Sequence, residues 1–78
     1  MPDLPELISH IQSLQHPDRN TDEQIVLALG GEIREMSGGR KRAFFDYTDP
    51  DEGIPIPFYT RTAESRGVVV ARLQDIVG

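Results

Sequence analysis

The chain lacks cysteine and tryptophan, and it contains no long apolar run. Without cysteine, a disulfide framework and a cysteine-ligated zinc finger are both excluded. No stretch approaches the roughly 18 consecutive apolar residues that indicate a membrane-spanning helix. The first ten residues, MPDLPELISH, carry neither the basic nor the apolar region of a signal peptide. We therefore expect a protein of a reducing compartment that makes no membrane contact and uses no cofactor.

The length of 78 residues predicts a single domain covering 1–78. A chain of this size buries only about 60% of the surface that its unfolded form exposes, so its core is thin. A deep catalytic pocket needs more concave volume than such a domain normally supplies. We therefore expect a protein that is not an enzyme.

The acidic excess lies entirely in the first half of the chain. Residues 1–39 hold seven acids and two bases, a balance of −5, whereas residues 40–78 hold six of each. Long-range repulsion keeps such an acidic surface away from nucleic acids and membranes and favours basic partners. Solubility alone is the simplest alternative explanation.

Two helices are predicted in the first part of the chain. Apolar residues at helical spacing predict an amphipathic helix over residues 4–15, with Asp3 as its cap. A second helix is expected over residues 22–29, capped by Asn20 or Thr21 and stopped by Gly30 and Gly31.

The middle of the chain has the pattern of a small sheet. Strands over 32–36 and 41–47, separated by residues 37–40, predict a hairpin. Residues 54–58 carry prolines at alternate positions and predict an edge strand or a polyproline segment. The last segment fits a helix by the spacing of Val69, Val70, Leu73 and Ile76, with a strand as the alternative. The predicted fold class is α+β: two N-terminal helices, an antiparallel sheet of two to three strands, and a C-terminal helix.

The candidate partner-binding residues are carboxylates. They lie in the acidic half and in the turn that follows the hairpin: Asp18, Asp22, Glu23, Glu32, Glu35, Asp49, Asp51 and Glu52. The turn does not match a calcium loop, because residues 57 and 60, twelfth from Asp46 and Asp49, are not acidic. We expect these carboxylates to meet lysine and arginine side chains of a partner.

A basic set supports an alternative, a small accessory protein that binds nucleic acid. Its members come from the hairpin and from the start of the last segment: Arg40, Lys41, Arg42, Arg61 and Arg66. Three adjacent bases on a hairpin can contact phosphates, although the chain is acidic overall. His10 and His16, the two imidazoles, are six residues apart and fall on different helix faces, so no metal site is expected.

The order of several short motifs resembles a known family. An acidic amphipathic helix is followed by Pro17-Asp18-Arg19, by Asp22, Ile25, Ala28 and Leu29-Gly30, by Asp49-Pro50-Asp51 and by the segment from Ile56 to Thr60. In this order, residues 4–77 resemble the small phage and prophage proteins called the phage ABA-sandwich domain. The sequence differs in having no tryptophan near the first strand and in reading Thr62-Ala63-Glu64-Ser65 where the family has Ser-x-Asp-Ala-Ala.

The resemblance implies helices packed on a small antiparallel sheet, a helix at the C-terminus, and a phage gene that acts in the cytoplasm of an infected bacterium. The family has no established chemistry, so it assigns no catalytic residues. Small acidic phage proteins include anti-CRISPR proteins, which bind an effector subunit and block its DNA path. The leading expectation is thus a non-enzymatic inhibitor of a host nucleic-acid-handling complex such as a CRISPR effector. A further alternative is a phage assembly factor that works as a homo-oligomer, for example a homodimer.

Overall fold

The computed structural model describes residues 3–78 and has an α+β arrangement, as predicted. In chain order the elements are α1 (Leu4–Ser13), α2 (Arg19–Ala28), β1 (Glu32–Glu35), β2 (Lys41–Phe44), β3 (Ile54–Pro55) and α3 (Ala63–Val77). A single 3-10 turn, Ser37–Gly39, joins β1 to β2. The C-terminal segment is a helix, so the alternative of a strand is wrong.

Side-chain caps start α2 and α3, whereas Asp3 precedes α1 as predicted but its side chain forms no capping hydrogen bond. α2 begins at Arg19 rather than near residue 22, because its cap is Asp18 and not Asn20 or Thr21. The Asp18 carboxylate accepts a hydrogen bond from the Asn20 backbone N–H at 3.0 Å, which satisfies one of the unpaired donors of the first turn. At α3 the Thr62 hydroxyl plays the same part by accepting from the backbone N–H of Ser65.

The sheet is antiparallel throughout, in the order β1-β2-β3. Ile33 lies opposite Ala43, and Ala43 lies opposite Ile54, so these three side chains share one face. The other face carries Phe44, which is covered by the Arg34 guanidinium at 4.6 Å from the ring centroid. The sheet thus has one apolar face, which belongs to the core, and one mixed face.

Two apolar clusters meet at α2. Ile25 belongs to the cluster shared with α1 and α3, which includes Ile11 and Leu73. The next residue, Val26, belongs to the cluster on the sheet, with Ala43. α2 therefore lies between the other two helices and the sheet. None of the helices within residues 3–78 is long and apolar enough to cross a membrane.

Candidate binding groove

An open groove of about 1070 Å³ lies between α1, α2 and the start of β1. Four of its lining residues are acidic: Asp3, Glu6, Asp18 and Glu32. Within the described part of the chain, no lysine or arginine lines it. We call this feature the acidic groove.

The α1 wall of the groove follows from helical spacing. Asp3, Glu6, Leu7 and His10 are three or four residues apart, so they lie on one side of the helix. Leu7 is buried and anchors that side of α1 to the core. Asp3 and Glu6 were absent from the predicted partner-binding set. Their spacing relative to His10 was the signal that could have identified them.

A chain of hydrogen bonds crosses from α1 to α2 at the groove. The Thr21 hydroxyl donates to Asp18 Oδ2 at 3.0 Å, and it lies 3.0 Å from His10 Nε2. Because the hydroxyl has one proton, it must accept from His10, so Nε2 carries a hydrogen. The donation from Thr21 is the main reason why the pKa of Asp18 lies below its ordinary value, and the Asn20 and Thr21 backbone N–H groups add to the effect.

Asp22 does not belong to any binding surface. Its side chain is 1% exposed, and both carboxylate oxygens accept hydrogen bonds from within the chain. Oδ1 accepts from the backbone N–H and from the hydroxyl of Thr60, while Oδ2 accepts from Arg19 at 2.8 Å. Its assignment as a partner-contacting residue is therefore wrong, because the fold itself uses the charge.

The other predicted carboxylates are dispersed. Asp18 and Glu32 line the acidic groove, whereas Glu23 pairs with Lys41 at 3.3 Å. The remaining four lie outside the groove and are exposed: Glu35, Asp49, Asp51 and Glu52. The predicted acidic set is thus not a single surface.

The predicted basic set is divided by its own contacts. Arg42 donates to the backbone carbonyls of Glu52 and Gly53, and Arg66 donates to that of Thr60 at 2.8 Å. The other three bases are exposed: Arg40, Lys41 and Arg61. Two guanidinium groups thus hold loops in place and Lys41 is paired with Glu23, so the set offers fewer free donors to a phosphate backbone than its sequence suggests.

No group of three or more histidine or acidic side chains in residues 3–78 is arranged to hold a metal ion. The groove instead combines four carboxylates, of which Glu32 is paired with Arg34 at 2.9 Å, with the apolar side chain of Leu27. Leu27 is 40% exposed. Such a surface can take up a cationic group together with an aliphatic chain, the combination that lysine and arginine side chains present.

No model of a known protein family matches this chain. The comparisons with curated proteins and with solved structures also find no significant match. The resemblance to the phage ABA-sandwich domain therefore stays a prediction, and the functional argument depends on the groove.

Proposed function

We propose that this chain is a non-enzymatic binding protein whose acidic groove takes up a lysine- or arginine-rich segment of a partner protein. The observation that carries this proposal is the one-sided charge of the groove, which joins Asp3 and Glu6 of α1 to Asp18 and Glu32. Neither Asp3 nor Glu6 forms an ion pair with another described residue. Their charge is thus available to a partner.

The groups at the groove favour binding over catalysis. His10 is the groove residue with the ordinary chemistry of a general base; its Nε2 donates to Thr21, which leaves Nδ1 as the basic nitrogen of the ring. The Thr21 hydroxyl is closed to an incoming substrate, because the residue is only 2% exposed. These contacts hold α1 against α2 and fix the shape of the groove.

We propose that the partner is a host nucleic-acid-handling complex, with a CRISPR effector as the leading candidate, and that binding blocks its DNA path. The channels of such effectors are positively charged because they hold nucleic acid backbones. Charge complementarity raises the rate of association with such a surface and opposes binding to acidic ones. A phage protein acting in the bacterial cytoplasm would meet such complexes, as the family resemblance implies.

The first test uses the groove alone. A short arginine- and lysine-rich peptide is titrated into the protein at low salt, and binding is monitored by the amide chemical shifts. The amide shifts of Glu6, His10 and Gln24 should change before those of the rest of the chain. The variant Asp3→Asn/Glu6→Gln should weaken binding several-fold. Asp51→Asn/Glu52→Gln is the matched control, because it removes the same charge from the exposed turn outside the groove. Equal weakening in both variants would show that general charge attraction causes the binding, and it would refute the assignment of the acidic groove as the binding site.

The second test addresses the partner. DNA binding by a panel of purified CRISPR effectors is measured with increasing amounts of this chain. We expect one effector to lose DNA binding, and Asp3→Asn/Glu6→Gln to need at least about tenfold more protein for the same inhibition. If no effector responds while the peptide still binds the groove, the CRISPR assignment fails and the groove assignment stands.

A further inference from the structure

The backbone hydrogen bonds of β1 can be assigned from one contact. Met36 N–H donates to Arg40 C=O at 2.6 Å, so these opposite residues form a hydrogen-bonded pair. Such pairs alternate with non-hydrogen-bonded pairs along an antiparallel ladder. Arg34 therefore bonds to β2, whereas the N–H and C=O groups of Ile33 and Glu35 point away from it. β1 is the terminal strand, so these groups lie along its open edge.

The opposite edge of the sheet, formed by β3, is protected. Ala43 pairs with Ile54, and Arg42 pairs with Pro55. By the same alternation, Ile54 bonds to β2 and the nitrogen of Pro55 faces outward. Proline has no N–H, and a second proline follows at position 57, so this edge offers few donors to another strand. β1 has no proline and no interruption of its register.

The side chains of β1 are complementary to a second copy of the same strand. If two β1 strands pair in antiparallel fashion about a twofold axis at Ile33, Glu32 of each copy lies opposite Arg34 of the other. Both side chains are more than half exposed, and opposite charges placed directly across two strands stabilise the pair. An axis at Arg34 would instead place the two Arg34 guanidinium groups directly opposite each other, and like charges in that position destabilise the pair.

We propose that β1 is a dimerisation edge, which joins two three-stranded sheets of two copies into one continuous sheet. Ile33 N–H of each copy donates to Ile33 C=O of the other, and Glu35 N–H donates to Gly31 C=O. The Gly31 N–H is already bound to Val26 C=O at 2.9 Å, so only its carbonyl is needed. The interface is isologous, as expected for a twofold dimer.

Two charge-reversal variants test the pairing. Glu32→Arg places arginine opposite Arg34 of the second copy, and Arg34→Glu places glutamate opposite Glu32. Each variant alone should raise the dimer dissociation constant by about tenfold or more, because two attractive cross-strand pairs become repulsive. Mixed in equal amounts, the two variants should form a heterodimer, since every cross-strand pair is then of opposite charge. The contact between Glu32 and Arg34 within one chain is lost in both variants, so recovery on mixing requires pairing between chains.

Sedimentation velocity over a range of about 10 µM to 1 mM chain provides the readout, since an interface this small is expected to be weak. A native protein that stays monomeric over this range overturns the proposal, as does a dimer that persists in both single variants. In the native protein the amide hydrogens of Ile33 and Glu35 should exchange more slowly as concentration rises. That measurement needs no variant, and exchange independent of concentration at both amides would also overturn the proposal.

Discussion

Asp22 Oδ1 accepts two hydrogen bonds from Thr60, one from the backbone N–H and one from the hydroxyl, each at 2.9 Å and across 38 positions of the chain. Asp22 Oδ2 accepts from Arg19, which also donates to the Ile56 carbonyl at 3.0 Å. Thr60 is itself fully buried. One buried carboxylate thus joins the first turn of α2 to the segment that leads into α3.

Replacement of Asp22 by alanine should lower the free energy of unfolding by about 2–4 kcal/mol. The reason is that the buried N–H of Thr60 loses its acceptor and Arg19 loses its ion pair. Urea unfolding followed by circular dichroism at pH 7 measures the change.

The adjacent residue, Glu23, provides the control for that measurement. It forms an ion pair with Lys41, whose side chain is 51% exposed, and exposed pairs of this kind contribute about 0–1 kcal/mol. Glu23→Ala should therefore lower stability by no more than about 1 kcal/mol. Similar losses in the two variants would contradict the structural role assigned to Asp22.

The N-cap at Asp18 should make a pH-dependent contribution to stability. The hydrogen bond from Thr21 holds the pKa of Asp18 below its ordinary value of 3.8 in the folded chain, so folding favours the ionised form. The contribution is present above pH 3.8 and is lost as the pH falls through the lower, folded pKa. Asp18→Ala should cost about 1 kcal/mol at pH 7, and much less in strong acid.

Urea unfolding at neutral pH and near pH 2 tests this dependence. Asp18→Asn keeps an oxygen that can cap the helix but cannot ionise. At pH 7, Asp18→Asn should lower the free energy of unfolding by less than Asp18→Ala does. In acid, Asp18→Asn and the native protein should be equally stable. A loss for Asp18→Asn that is the same at both pH values would contradict the role of the charge.

Two glycines should respond in opposite directions to alanine. A Cβ atom at Gly31 would lie 2.6 Å from Phe45 Cε1 and 2.9 Å from Val26 Cγ1, and overpacking of this kind typically costs about 1–3 kcal/mol. Gly67 lies inside α3, with nothing within 4 Å of the added atom, so alanine there should stabilise by about 0.5–1 kcal/mol. The melting temperature of Gly31→Ala should fall below that of the native protein, and that of Gly67→Ala should rise above it. A melting temperature of Gly67→Ala below the native value would contradict the exposed helical position assigned to Gly67.

The elements were predictable where the signal is local. The stripe of Val69, Val70 and Leu73 favoured a helix over a strand at α3, and the alternate prolines predicted an edge strand or a polyproline segment where β3 lies. The cap of α2 was misplaced because Asp18, Asn20 and Thr21 are all residue types that cap helices, and only the backbone geometry distinguishes them.

The site was less predictable, because its parts come together through packing. Asp22 has the sequence context of an exposed helix carboxylate, and its partner Thr60 is remote in sequence. The groove combines Asp3 and Glu6 with Asp18 and Glu32, and no local pattern specifies how α1 lies against α2. The charge excess of the first half was nevertheless visible in the sequence, and it is the property that the groove concentrates.

The position of α2 between the two apolar clusters determines how the chain melts. Ile25 and Val26 are consecutive residues of α2 that pack into different apolar clusters. Both clusters therefore depend on the same helix, and loss of α2 disrupts both. Unfolding should therefore be a single cooperative event, in which the calorimetric enthalpy equals the van't Hoff enthalpy. A peptide that ends after α2 and a peptide that begins at β1 should each be unstructured alone, since each lacks half of the surface that this helix holds together.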